Sequence, residues 1–154
     1  MNPIQVKIKL THPNAKLPTK GSKHAGAWDV YAAEILSHNN THIVDLGFSL
    51  EFSNNFRVML QPRSSIVNTY LIQQNSPGLG DSDFRGSYRF IFKMLPHSLH
   101  GTNYNSLSYK PFPYKVGDRV GQMYLEEIIP ISFEQVDELS DTERGEGGFG
   151  STGK

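Results

Sequence analysis

Apolar residues recur at every second position through much of this chain. In "VKIKL" (residues 6–10) valine, isoleucine and leucine alternate with lysine, the mark of a strand with one buried face. The run "HIVDLGFSLEF" (42–52) reads as two strands bent near Gly47. "FRVMLQP" (56–62), "YRFIFKM" (88–94) and "RVGQMYLEEII" (119–129) read as three more. The turn formers "HPN", "SNN", "SPG" and "VGD" stand between them. Many short strands punctuated by turns predict an all-β, jelly-roll-like barrel or sandwich. One segment breaks the period. In "SSIVNTYLIQ" the spacing of Ile66, Val67, Tyr70 and Leu71 predicts a short amphipathic helix after "PRSS", with Ser64 or Ser65 as its cap. Residues 1–136 then form the β domain. Within it, 94–113 is an inserted loop or hairpin, since the stretch 96–113 is polar and aromatic without period. Residues 137–154 turn acidic and then glycine-rich, and make a flexible arm.

Length and composition narrow the picture. The 154 residues suit one ordinary domain with a real core. Fifteen Lys plus Arg balance fifteen Asp plus Glu, a poor endowment for gripping a nucleic-acid backbone. A local cluster of cations for a small anion is still compatible with it. There is no cysteine, which excludes disulfides, thiolate catalysis and Cys-based zinc sites. No apolar run nears the roughly 18 residues that span a bilayer, and the N-terminus lacks a signal-peptide pattern. The expectation is a cytoplasmic protein with no membrane or nucleic-acid partner. Six histidines are scattered without ligand spacing and read as surface residues.

Five stretches carry candidate chemistry. The closing "RGEGGFGSTGK" (144–154) combines glycines, which permit close backbone approach to phosphate, with an arginine, one aromatic and two hydroxyls. It reads as a flap that orders over a nucleotide, or as an idle flexible terminus. "NSPGLGDSDFRG" (75–86) places Asp81 and Asp83 on one side if extended; alone, it favours a β-turn. "QPRSSIVNT" (61–69) sets Arg63 at a helix start, an anion site or an ordinary cap. "GDRVGQMYL" (117–125) offers Gln122 as a donor, or is a plain turn into a strand. "HAGAWDVYAAE" (24–34) holds Asp29 beside the sole tryptophan; its plain reading is a strand with one inward aromatic.

Taken in order, these stretches resemble the trimeric all-β dUTPase family over residues 6–153. "GDSDFRG" and "RGEGGFGSTG" are the strongest pieces, and the compact organisation is similar to bacteriophage members. The resemblance implies a dUTP diphosphatase. Water would attack the α-phosphate of dUTP to give dUMP and diphosphate, keeping uracil out of DNA and supplying dUMP for thymidylate synthesis. It implies Mg²⁺, and a homotrimer with shared active sites in which the arm closes a neighbouring one. Asp81 would orient and activate the water. Phe84 stands where the family has a tyrosine under the deoxyribose, and its ring would exclude ribose. Asn75 and the backbone of Gly78, Leu79 and Asp81 would form the uracil pocket. Arg63, Ser64 and Ser65, with Gln122, fall at phosphate-contact positions. Phe149 would stack on uracil, while Arg144, Gly150, Ser151 and Thr152 hold the outer phosphates. Arg144 is expected to contribute most to catalysis from the arm. No direct metal ligand is expected, only Asp29 through water.

Some positions depart from the family pattern. Ala27 and Ser65 replace glycines, Ser87 a glutamate, and Gly80 a branched aliphatic, which is expected to leave the strand before Asp81 looser. The competing readings are a dCTP deaminase, a nucleotide-binding regulator with a protein partner, and a structural jelly roll; the motif set favours hydrolysis over each.

Overall fold

The computed structural model describes residues 3–96 and 108–148. Apart from one 3-10 turn, its regular elements are all strands: β1 (Lys7–Leu10), β2 (Thr19–Lys20), β3 (Trp28–Tyr31), β4 (Glu34–His38), β5 (Thr41–Asp45), β6 (Phe48–Glu51), β7 (Phe56–Pro62), β8 (Leu71–Gln73), β9 (Gly78–Gly80), β10 (Arg89–Met94) and β11 (Arg119–Glu127). They form three antiparallel sheets, ordered β1-β6, β4-β5-β10-β8 and β2-β3-β11-β7-β9. The result is a jelly-roll-like sandwich without a closed barrel.

Alternation places the core. β5 buries His42 and Val44, and β10 buries Phe90, Phe92 and Met94 on the same rhythm. Their side chains meet Val58, Leu60, Val120 and Met123 from the five-stranded sheet and Phe48 and Leu50 from β6 in one apolar cluster. The sheets approach so closely at β11 that a Cβ on Gly121 would stand 2.1 Å from the Phe90 ring. The bend between β5 and β6 falls at Gly47, whose φ of +69° suits only glycine well. Its amide donates to Asp45 Oδ1 at 2.7 Å.

Several local expectations are corrected. The segment after "PRSS" is one 3-10 turn, Ser64–Asn68, which buries no residue and has no side-chain cap bond. Leu71 instead enters β8 and pairs with Met94, so cross-strand pairing takes the residue a helix would need. Trp28 is 40 % exposed rather than inward, with Lys20 Nζ 4.6 Å from its ring centre. His42 is buried, stacked on Phe112 at 4.1 Å and bonded through Nδ1 to Ser37 Oγ at 2.7 Å. Burial pushes its pKa below the usual value. Two residues within the bounds 94–113 belong to the fold: Met94 closes β10, and Phe112 packs on the core beside Tyr114. Residues 97–107 lie outside the described residues. Beyond β11, residues 130–146 are exposed and form no strand.

Candidate functional site

β9 is one of the two edge strands of the five-stranded sheet and, among the described residues, pairs only with β7. An edge strand keeps unpaired backbone donors and acceptors along its outer side. Here a pocket of about 290 Å³ opens beside it, lined by Leu60, Asn75, Gly78, Leu79, Gly80, Asp81, Phe84, Ser87, Tyr88 and Arg89. The strand is bounded by turn chemistry on both sides. Ser76-Pro77 precedes it with a cis peptide, and Phe84 N donates to Asp81 O at 3.2 Å to close the turn that follows. Asp81 and Asp83 are therefore not on one extended face; the turn wins. Asp81 and Phe84 reach the surface at the pocket, with Phe84 44 % exposed.

The structure gives Asn75 a definite task. Its Nδ2 donates to Arg89 O at 3.1 Å, and its Oδ1 accepts from Ile91 N at 2.9 Å. The side chain thus imitates a peptide and ties the pocket wall to β10. Tyr88 stands against Gly80 in the same lining and is 4 % exposed. Burial, with a minor push from Asp81 against a pull from Arg85, raises its pKa to about 12. Below the wall Asp45 collects three donors: the Ser87 hydroxyl, the Gly47 amide and Arg89 Nε at 2.7 Å. Burial favours its neutral form, but these bonds outweigh that and hold the carboxyl below its ordinary value.

A second cluster gathers the phosphate candidates. Asp29, on β3 opposite Gln122 of β11, is only 3 % exposed. Its carboxylate accepts from Arg119 at 3.1 Å and Gln122 Nε2 at 3.2 Å, and pairs with Arg63 Nε at 3.4 Å. Arg63 is extended by β7, which ends at Pro62. Ser64 and Ser65 follow in the 3-10 turn, a single turn too short to serve as an anion-binding helix end. Nothing in the sequence reading singled out Arg119; a hydrogen bond across 90 residues leaves no local trace. The same holds for Tyr88, whose neighbours are set by the β9 pairing.

Within one chain the two clusters lie apart. Val58 pairs with Gly80 and Leu60 with Gly78. β9 thus runs back along β7, and Asp81 leaves at the Phe56 end while Arg63 leaves at the Pro62 end. From Val58 to Arg63 is ~16 Å at about 3.3 Å per residue. Arg144 is not at the pocket either; its Nε donates to Gly147 O at 2.6 Å in an exposed turn. Phe149, Gly150, Ser151 and Thr152 lie outside the described residues. Among the described residues no group of three or more His, Asp or Glu could hold a metal, and no helix is long and apolar enough to cross a membrane.

Comparison with known proteins identifies the fold and the family. Solved structures of the Staphylococcus bacteriophage 80alpha dUTPase with dUPNHPP share the fold, at a TM-score of 0.78 and 22% identity over 97% of this chain and 99% of that one. A dUTPase mutant of phage phi11 of S. aureus, in which coordination of a structural Mg(II) ion was described, superposes at a TM-score of 0.70 with 18% identity over 89% of this chain and 99% of that one. Curated relatives are nearer in sequence. The deoxyuridine 5'-triphosphate nucleotidohydrolase of Yarrowia lipolytica is 34% identical over 97% of this chain and 90% of its own. That of Helicobacter pylori is 30% identical over 97% of both. The dUTPase family model matches residues 13–153. With Asp81 at the mouth of an edge-strand pocket and a match running nearly end to end, the chain belongs to the dUTPase family.

Proposed function

We infer that this chain is a dUTP diphosphatase, a hydrolase that converts dUTP to dUMP and diphosphate. The observation that carries the reading is the pocket at the open edge of β9, with Asp81 at its lip. Unpaired backbone groups of Gly78–Gly80 can pair with the edge of a pyrimidine. A base with the wrong donor pattern leaves buried polar groups unpaired, which rejects it steeply. The Phe84 ring supports the deoxyribose and crowds its 2′ position. Asp81 orients the attacking water and takes its proton as the water meets the α-phosphate.

The phosphate chain needs the second cluster. Arg63 and Gln122, held by Asp29, and the hydroxyls of Ser64 and Ser65 supply donors for it. The separation of Asp81 from Arg63 along β7 favours sites shared between subunits of a homotrimer, the pocket of one chain meeting the Arg63 cluster of another. The arm, residues 137–154, then closes over such a site. Arg144 neutralises the outer phosphates, Phe149 stacks on uracil, and Gly150, Ser151 and Thr152 complete the clasp and exclude water.

Enzymes of the family use a divalent metal. The donor set here fits a Mg²⁺ that keeps its waters and rides on the substrate's phosphates. Asp29 is already engaged by two guanidiniums and an amide, so it can reach such an ion only through water. The bound ion would neutralise phosphate charge.

The test is a substrate panel. With Mg²⁺, diphosphate should be released from dUTP far faster than from dTTP, dCTP or UTP, which should turn over only slowly at high enzyme concentration, and Asp81→Asn should abolish it. A folded protein that hydrolyses none of them would refute the reading. For shared sites, inactive Asp81→Asn and Arg63→Ala chains refolded together should regain activity. Failure to complement would place each site within one chain.

A further inference from the structure

The wall of the pocket is missing a side chain and has a ring in its place. Glycine inside a strand weakens it and often marks the close approach of another group. At Gly80 that group is Tyr88: a Cβ built on Gly80 would lie 2.3 Å from its Cε1 and 2.9 Å from its hydroxyl. A side chain at 80 and the ring at 88 therefore exclude each other, and one volume is filled once.

The ring is well held. Tyr88 N donates to Phe48 O at 3.3 Å, and Tyr88 O accepts from Leu46 N at 3.0 Å. Its face and edge meet Phe48 at 6.0 Å and Phe84 at 5.4 Å. Its hydroxyl has no hydrogen-bond partner among the described residues, so packing and backbone fix it. β9 is held less firmly: it has three residues and one pairing neighbour. What stops its outer edge from shifting is the ring behind Gly80.

We propose that Tyr88 is a positioning residue that sets base specificity: it substitutes for the side chain absent at Gly80 and fixes the backbone of Gly78–Asp81 against the bound nucleoside. The inference rests on the reading of the chain as a dUTP diphosphatase. Tyr88 also lines the pocket, and it acts on the base through the backbone of β9. Gly80 does not loosen the strand, because the volume lost at 80 returns from 88.

The test is second-site rescue. Tyr88→Val empties the volume behind Gly80. Because sub-ångström misplacement is costly in catalysis, kcat/KM for dUTP should fall about tenfold or more. The ratio of kcat/KM for dUTP over dCTP should fall with it, since the backbone that reads the base has moved. Adding Gly80→Ile to Tyr88→Val refills the volume from the other side and should bring both quantities back to within about threefold of the parent, a difference worth under 1 kcal/mol. A fold defect alone would lower both substrates in proportion and leave the ratio fixed, and that outcome would overturn the proposal. So would a Tyr88→Val protein with unchanged kinetics, or a folded double variant that recovers neither quantity. If Tyr88→Val does not fold, the double variant decides alone. A parent protein inactive on dUTP would overturn the functional reading and this proposal with it; an active parent with an insensitive Tyr88→Val would overturn this proposal only.

Discussion

Replacing Asp29 by asparagine tests what the buried carboxylate is for. The side chain is 5 % exposed and faces Arg63 and Arg119, whose side chains are 28 % and 49 % exposed. Removing one partner of a fully buried pair costs about 3–5 kcal/mol. Here both guanidiniums reach water and can reorient, so the loss of stability should be nearer 1–2 kcal/mol. Activity should suffer more. Arg63 and Gln122 are both bonded to Asp29, and if they are the phosphate donors we propose, setting both loose should cost about 100-fold in kcat/KM, or ~2.7 kcal/mol. Urea unfolding gives the first number and diphosphate release the second. The Mg²⁺ dependence separates the roles: a carboxylate that positions cations leaves the half-saturating Mg²⁺ concentration unchanged, whereas one that holds the ion through water raises it. Parental kcat/KM in Asp29→Asn would refute the positioning argument, and a shifted Mg²⁺ midpoint would return Asp29 to the metal.

Three further outcomes follow from the packing and charge. Gly121→Val should drive a side chain into the Phe90 ring, 2.1 Å from the new Cβ; overpacking should cost about 3 kcal/mol or more, seen as a lowered urea midpoint, and an unchanged midpoint would show that the sheets can part. Tyr88→Phe removes a buried hydroxyl that has no partner among the described residues and should raise stability by ~1 kcal/mol, whereas a lower thermal midpoint would mean the hydroxyl is satisfied in solution. Asp45, held below its ordinary pKa of 3.8, contributes stability that is complete above that value and lost as pH falls through the lower folded value; in Asp45→Asn the fall in urea midpoint between neutral pH and pH 3 should be shallower, and an identical slope would remove Asp45 from the acid limb.

The β framework was legible because its signal is local. β5 and β10 bury alternate residues, whereas β7, packed on both faces, buries Val58, Met59 and Leu60 in succession, and Gly47 marks the bend that positive φ demands. The helix over 66–71 failed for the converse reason. Four apolar residues at helical spacing were also compatible with a short turn followed by β8, and the tie was broken by Met94, more than twenty positions away. Asp81, Phe84 and the pocket strand could be placed because turn residues fence them. Asp29 was visible, but its partners were not: the ring of donors comes from β7 and β11, and only the register of β3 on β11 assembles it. Gly80 was readable as a gap, while the residue that fills it lies across a turn and reveals itself only in three dimensions.

Two features of the isolated chain bear on assembly, and they are independent. The first is the register of β9 on β7, which carries Asp81 toward the Phe56 end of β7 while Arg63 follows its Pro62 end. No loop movement within the chain reverses a register fixed by three backbone pairs. The second is the segment after β11, where Ile129, Ile131 and Phe133 are 80 %, 73 % and 93 % exposed. Apolar residues at alternate positions are strand-like, and such exposure in sequence is costly unless covered by another surface. A trimer of the kind we propose would relieve both at once, bringing a foreign Arg63 to each Asp81 and giving the apolar segment a surface to cover.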